Sequence, residues 1–396
     1  MDFSFSAKEL AFAAEARVWL EANVPPDWRR DHCWTRQDDP VRFREIARPW
    51  QQKLYEGGWV GISWPRELGG RGATVIERWL FEEELDRAGA PYPAASANVD
   101  MIGSAILRHG TDEQRQRFLK PLLSGVEWWC QGFSEPGAGS DLGGLRCRGE
   151  RIGDEFVVNG QKVWTSHAEV ADWCFLLCRT EADAPKHKGI SLLLVDMRSP
   201  GISVRPLKQM TGDAEFCEVF FEDVRVPAAN MIGAPGAGWQ IAMGILAHER
   251  GPVWTFTFQR RIRRSLEHLV AAARAGRSAK GLGDPLIRQR LAQSFIDVEI
   301  LKLIGYRSLT HILRTGHPGP ESSLEKIVGS ETDQRLQEGA MALFGPHAVL
   351  AEDPRSIDDG ALGKAYMYSR SETIMGGTSE IQRNVIAQRI LGLPRA

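Results

Sequence analysis

The 396-residue chain is 43% hydrophobic and 25% charged, with a formal net charge of -2. A balance this close to neutral supplies no basic face for nucleic acid or for an anionic membrane, so a small-molecule or protein partner is expected, with no nucleic acid and no membrane. The length suits two or three domains, or one large core with an embedded smaller module.

The first twenty residues, MDFSFSAKELAFAAEARVWL, carry Asp2, Lys8, Glu9 and Glu15 among their apolar positions. That charge pattern is wrong for a secretion signal and reads as a first amphipathic helix. Helical spacing of apolar residues covers 7–22, 41–56, 75–88, 99–109 and 112–123, punctuated by Pro25-Pro26 and by WPRELGGRG, Trp64 to Gly72.

Between about Trp128 and Val226 the character changes to short runs rich in Val, Phe, Leu and Trp, such as EFVVNGQKVWTS, DWCFLLCRT, GISLLLVDM and CEVFFEDVRV. These predict strands, and Asn159-Gly160 within the first of them predicts a two-residue hairpin turn. After Pro227 the helical period returns over 236–275, 284–315, 321–344 and 359–391. The expected fold is α+β and mostly α: a helical domain over 1–127, a β domain over 128–230 and a helical domain over 231–396.

The longest strongly apolar stretches, such as Ile190 to Met197, are far shorter than the roughly 18 to 20 residues that span a bilayer. Six scattered cysteines without a C-x-x-C pair argue against a disulfide framework or a metal site, and for buried thiols in a reducing cytoplasm.

Four segments carry chemistry. GFSEPGAGSDLGG, Gly132 to Gly144, lets backbone N–H groups approach a phosphate or a flavin edge, with Ser134, Ser140 and Asp141 adding short polar side chains; an ordinary glycine-rich connection has the same composition. In QKVWTSHAEVADW, strand alternation places Trp164 and Ser166 on one face, an indole and a hydroxyl able to flank a planar ring, although a strand Trp is more often core.

GWQIAMGILAHERGP reads as a buried helix on which Ile241, Ile245 and Glu249 form one stripe at spacing four. Burial raises a carboxylate toward the pKa a general base needs, unless an ion pair holds it down; the adjacent Arg250 points about 100° away around the helix. In SETIMGGTSEIQRNVIAQRILGLP, Gly376-Gly377 frees the backbone just before Thr378, a good N-cap for the helix that follows.

In this order and spacing the segments, with WPRELGGRG and the FFEDVRVPAANMIG stretch that closes the β region, resemble the acyl-CoA dehydrogenase family over essentially the whole chain. The resemblance implies an N-terminal helical domain, a middle β-barrel-like domain and a C-terminal four-helix bundle, with FAD as cofactor and a homo- or hetero-oligomer built as a dimer of dimers. It implies oxidation of an acyl-CoA to the trans-2-enoyl-CoA, with electrons passed to an electron-transfer flavoprotein or similar acceptor.

By similarity, Gln131, Phe133, Ser134, Gly139 and Ser140 line the flavin and the near part of the substrate, and Trp164, Thr165 and Ser166 cover the other side. Thr378 and Glu380 fall near the adenylate, and Arg250 and Ser140 near the substrate. Many members carry the catalytic glutamate where this chain has Gly376. Others, isovaleryl-CoA dehydrogenase among them, carry it before an arginine on the buried helix, which here is Glu249; Gly376 then contributes only its backbone N–H to the thioester oxygen.

The chain departs from the family in Gly276 to Pro285, in Ala342 and in Pro346, all in parts that serve a flavin shared between subunits, with Arg277 and Lys280 as approximate substitutes. The expectation is pairing with a different dehydrogenase-like chain, or a different hold on the adenine end of the flavin. Two other readings are a flavin monooxygenase on the same fold and a non-catalytic partner subunit.

Overall fold

The computed structural model describes residues 4–25, 40–91, 96–249, 252–276, 282–316, 318–351, 353 and 355–394. Helices α1 (Ala7–Asn23), α2 (Pro40–Glu56), α3 (Val75–Arg87), α4 (Ser104–His109) and α5 (Asp112–Ser124) form the N-terminal part. Three of them begin with the same device. Ser6, Thr74 and Thr111 each accept the backbone N–H three residues on, and Glu9, Glu77 and Gln114 return a bond to the cap's own N–H, which satisfies two of the donors a helix start leaves open. The stretch expected as one helix over 99–109 divides into a π-helical turn, Val99–Gly103, and α4.

The middle region holds β1 (Trp129–Gly132), β2 (Arg148–Ile152), β3 (Glu155–Ser166), β4 (Trp173–Arg179), β5 (Ile190–Asp196), β6 (Ile202–Leu207), β7 (Phe216–Pro227) and β8 (Met231–Ile232). They form one sheet in the order β6-β7-β3-β2-β4-β5-β8, with β1 running parallel to β4. β2 meets β4 at the single pair Arg148 and Arg179, so the sheet folds there into two halves. Phe156, Val158, Leu176, Leu193, Val219 and Phe221 fill the space between the halves.

The outer face of β4 and β5, with Phe175, Leu177, Leu192 and Leu194, joins the core of the N-terminal helices around Leu54, Trp59, Phe81, Ile106 and Leu122. Being buried on both faces explains why these two strands read as continuous apolar runs rather than alternating ones. Each fully buried Leu or Phe contributes roughly 1.5–3 kcal/mol of hydrophobic stabilisation.

Asn159-Gly160 is not a hairpin turn. Both residues lie inside β3, where the pairing with β7 shifts register between Val158 and Gly160. A Cβ on Gly160 would stand 2.7 Å from the Cys147 backbone, so glycine is there for close approach. Asn159 meanwhile exchanges two 3.0 Å hydrogen bonds with Asp223 on β7. The β2–β3 turn falls instead between the paired residues Ile152 and Glu155.

The chain divides into two compact units at Glu249/Arg250. The first ends with α6 (Gly238–Glu249), which packs on β5 and on the Val99–Gly103 turn. The second holds α7 (Pro252–Arg274), α8 (Pro285–Thr315), α9 (Ser322–Phe344), α10 (Ala361–Glu372) and α11 (Ser379–Val385). In it α7, α8 and α10 all pack against α9 around Ile262, Leu301, Leu336 and Phe344.

Among the described residues no helix is long and apolar enough to cross a membrane. Cys130, Cys147, Cys174, Cys178 and Cys217 are free and buried; Cys33 lies outside the described residues.

Candidate active site

β1 delivers the chain into the glycine-rich loop. Phe133 is buried edge-to-face against Phe175, ring centroids 5.7 Å apart, and anchors the start of the loop on the sheet. Glu135 and Ala138 exchange backbone hydrogen bonds of 3.1 and 3.0 Å across a tight turn, which turns Gly139 and Ser140 out to solvent. A Cβ on Gly139 would meet nothing within 4 Å, so the space beside it is open.

The loop lies against the end of β3, where the Val163 N–H donates to the Ser134 carbonyl at 2.9 Å. There the β3–β7 register slips a second time, between Lys162 and Thr165. Trp164 sits in the slip with φ +60° and a side chain 58% exposed. A left-handed tryptophan costs about 1–2 kcal/mol and persists only where its surroundings hold it. The ring of Phe216 meets the indole edge-on at 6.1 Å. Trp164 and Ser166 are both exposed and Thr165 between them is buried.

Among the buried polar groups without a protein partner are the Gln131 side-chain N–H on β1 and, adjacent to Trp164 in β3, the Thr165 hydroxyl. Buried donors are rarely left unsatisfied, so the orphaned Thr165 hydroxyl adjacent to the exposed indole fits a polar planar ligand such as the flavin of FAD.

Sequence reasoning passed over Lys162 and Glu135. Lys162 is fully buried and donates to Glu135 at 2.8 Å and to the Phe133 carbonyl at 3.0 Å. Glu135 in turn accepts the backbone N–H groups of Arg146 at 2.6 Å and Cys147 at 2.8 Å. Strict alternation would send Lys162 outward with Trp164; the register slip between them reverses that.

On α6, Ile241 and Ile245 are each 2% exposed, so the stripe leading to Glu249 is buried as expected. Glu249 is the last residue of the helix; its side chain and all of Arg250 lie outside the described residues, as do Arg277 and Lys280.

In the second unit, Gly376 and Gly377 adopt φ +64° and +86°. Thr378 caps α11, its hydroxyl accepting the Ile381 N–H at 3.2 Å. Glu380, exposed in the first turn, has its carboxyl held below the usual carboxylate range by a backbone N–H at the helix start and then by the Thr378 hydroxyl. Thr378 and Glu380, with Thr373, Ile374, Ser379 and Arg383, border a cleft of about 480 Å³. Ala342 is half-buried and Pro346 exposed.

Three family descriptions match the chain in succession: acyl-CoA dehydrogenase N-terminal domain over residues 6–126, middle domain over 130–224 and C-terminal domain over 236–391. The acyl-CoA dehydrogenase IpdE1 of Mycolicibacterium smegmatis is 39% identical over 394 residues, covering 97% of each chain. The mouse mitochondrial short-chain specific acyl-CoA dehydrogenase is 29% identical over 86% of this chain and 82% of its own. Among solved structures, the Tcur3481-Tcur3483 steroid ACAD is 32% identical with a TM-score of 0.86, and the ChsE4-ChsE5 complex from Mycobacterium tuberculosis is 32% identical with a TM-score of 0.81. Each of these two covers 100% of both chains.

Proposed function

Because the chain belongs to the acyl-CoA dehydrogenase family, we propose that Glu249 is the base that removes the α proton of its thioester substrate. The protein is an FAD-dependent enzyme that oxidises an acyl-CoA to the trans-2-enoyl-CoA. FAD, when bound, accepts the hydride that leaves the β carbon. The C–H electron pair at the α carbon becomes the new double bond, and its proton goes to the Glu249 carboxylate.

Support for Glu249 comes from both ends of the argument. The C-terminal position that holds a glutamate in many members is Gly376 here, and the stripe of Ile241 and Ile245 that leads to Glu249 is buried. A carboxylate at the end of such a stripe can serve as general base for the α proton of a bound thioester. Gly376 keeps a backbone N–H for the developing enolate oxygen, and Arg250 and Ser140 bind the substrate.

Gln131, Phe133, Ser134, Gly139 and Ser140 form one flavin wall and Trp164, Thr165 and Ser166 the other, with Thr378 and Glu380 at the adenylate. The observation that carries the flavin assignment is the left-handed, exposed Trp164 beside the orphaned hydroxyl of Thr165. The domain boundaries we propose are 127/128 and 230/231.

The substrate's acyl part is bulky, as the steroid substrate class named for one similar structure suggests, and the working assembly pairs this chain with a second dehydrogenase-like chain. Ala342, Pro346 and the Gly276 to Pro285 segment, which depart from the family where it serves a shared flavin, favour that pairing. Electrons pass to an electron-transfer flavoprotein or similar acceptor, in the cytoplasm.

The test is anaerobic mixing of the flavin-loaded protein, alone and with a co-expressed partner chain, against straight, branched and steroid-derived acyl-CoAs. Bleaching of the flavin absorbance with a trans-2-enoyl-CoA product is expected, strongest for the steroid-derived thioester. Bound flavin that no thioester bleaches, with oxygen uptake in its place, would overturn the proposal.

A further inference from the structure

We infer that the buried Lys162–Glu135 ion pair is a positioning device that ties the two flavin-facing segments into one unit and sets their spacing. The inference rests on the reading that the Gln131 to Ser140 loop and Trp164 to Ser166 face the flavin. Lys162 stands two residues before Trp164 on β3, and Glu135 stands one residue after Ser134 in the loop. Their 2.8 Å contact therefore joins one segment directly to the other.

The remaining bonds extend the same tie. Lys162 also holds the Phe133 carbonyl at 3.0 Å, on the other side of Ser134, so the Ser134 backbone is clamped from both neighbours. The Val163 N–H bonds the Ser134 carbonyl itself at 2.9 Å. Glu135 takes the N–H groups of Arg146 and Cys147, which fixes the far end of the loop where it enters β2. One carboxylate thus spans the start and the end of the loop, and one ammonium connects it to the strand that carries the indole.

Packing alone does not call for such a pair. Two charges in a site 0% and 8% exposed lose most of their hydration, and uncharged side chains of the same volume often stabilise such a position equally well. What the pair adds is direction. Charge-assisted hydrogen bonds define the loop's register with a geometry that apolar contacts do not impose. The register slip at Val163 and Trp164 needs that definition, because it is what turns Lys162 inward and the next-but-one side chain outward.

The experiment removes both charges together, in Lys162→Met with Glu135→Gln, so that neither partner is left buried and unpaired. FAD is titrated into the flavin-depleted protein in the assembly in which it purifies, and thermal unfolding of the flavin-free form is followed in parallel. The expected result is a folded protein whose flavin-free melting temperature falls only slightly, by the loss of the Phe133 carbonyl's donor. Its FAD dissociation constant should rise at least tenfold, and the bound flavin should show a shifted reduction midpoint, which a purely structural role would leave in place.

Hydrogen exchange at Val163, Arg146 and Cys147 should accelerate together. Wild-type affinity and midpoint in the folded variant would overturn the inference. So would failure to fold both in this variant and in Lys162→Gln with Glu135→Gln, since the pair would then be a determinant of the fold rather than of the site. Trp164→Ala separates the two levels: if it too binds FAD like wild type, the assignment of the flavin walls is what failed.

Discussion

Gln382 donates its side-chain N–H to the carbonyl of Gly376 at 2.9 Å and is itself fully buried, so the Gly376-Gly377 turn is held from inside the helix it precedes. Gln382→Ala leaves that carbonyl without its partner and should lower stability by about 1–2 kcal/mol. Gly376→Glu places a side chain where a Cβ meets nothing within 4 Å, but at φ +64°, and should cost about 1–2 kcal/mol without blocking folding. Urea unfolding measures both; a Gly376→Glu protein as stable as wild type would contradict the assignment of left-handed strain.

Trp164→Gly relieves the left-handed strain and gives up a largely exposed side chain. The flavin-free protein should gain up to about 1 kcal/mol or stay level. FAD binding should weaken tenfold or more as one wall of the ring site disappears. A variant that loses stability and keeps its FAD affinity would show that the indole serves packing only.

Glu325 on α9 is fully buried, accepts the Thr255 hydroxyl, and has its carboxyl pushed up to about 7, first by burial and then by Glu321, against the pull of the Ser308 and Thr255 hydroxyls. Its folded value stands above the ordinary 4.5, so its contribution to stability is complete below pH 4.5 and is lost as pH rises through 7. The difference of about 2.5 units corresponds to roughly 3 kcal/mol at this one group. Glu325→Gln should remove that decline, making the variant progressively more stable than wild type from pH 5 to pH 8. Equal pH slopes for the two proteins would contradict the burial argument.

The described thiols should be inert in the native protein. Burial pushes Cys147 and Cys217 up to about 11 and Cys178 higher still. In a Cys33→Ser background, a maleimide reagent at pH 7.5 should label none of Cys130, Cys147, Cys174, Cys178 or Cys217 until denaturant is added. Rapid labelling of the native form would mean that the sheet opens locally.

Much of this architecture is legible in the sequence because its signals are local. Ser6–Glu9, Thr74–Glu77 and Thr111–Gln114 announce helix starts, and the uninterrupted apolar runs of β4 and β5 announce strands covered on both sides. Trp164 and Ser166 are both exposed, as alternation predicts. What escaped depends on register. Asn159-Gly160 carries a hairpin signature, yet it serves a bulge whose reason is the Cys147 backbone close to Gly160, a contact from the residue that leads into β2. The Lys162–Glu135 pair was hidden by the second slip, since a lysine two residues from an exposed tryptophan reads as solvated until the ladder is known to shift.

Anaerobic reduction of the flavin by an acyl-CoA that bleaches the wild type asks whether Glu249 is the base that takes the α proton. Glu249→Gln, which keeps the shape and loses the base, should bind FAD and the thioester and yet slow bleaching by a factor of roughly 10² or more. Bleaching at the wild-type rate in Glu249→Gln would contradict the account and assign the proton to another group.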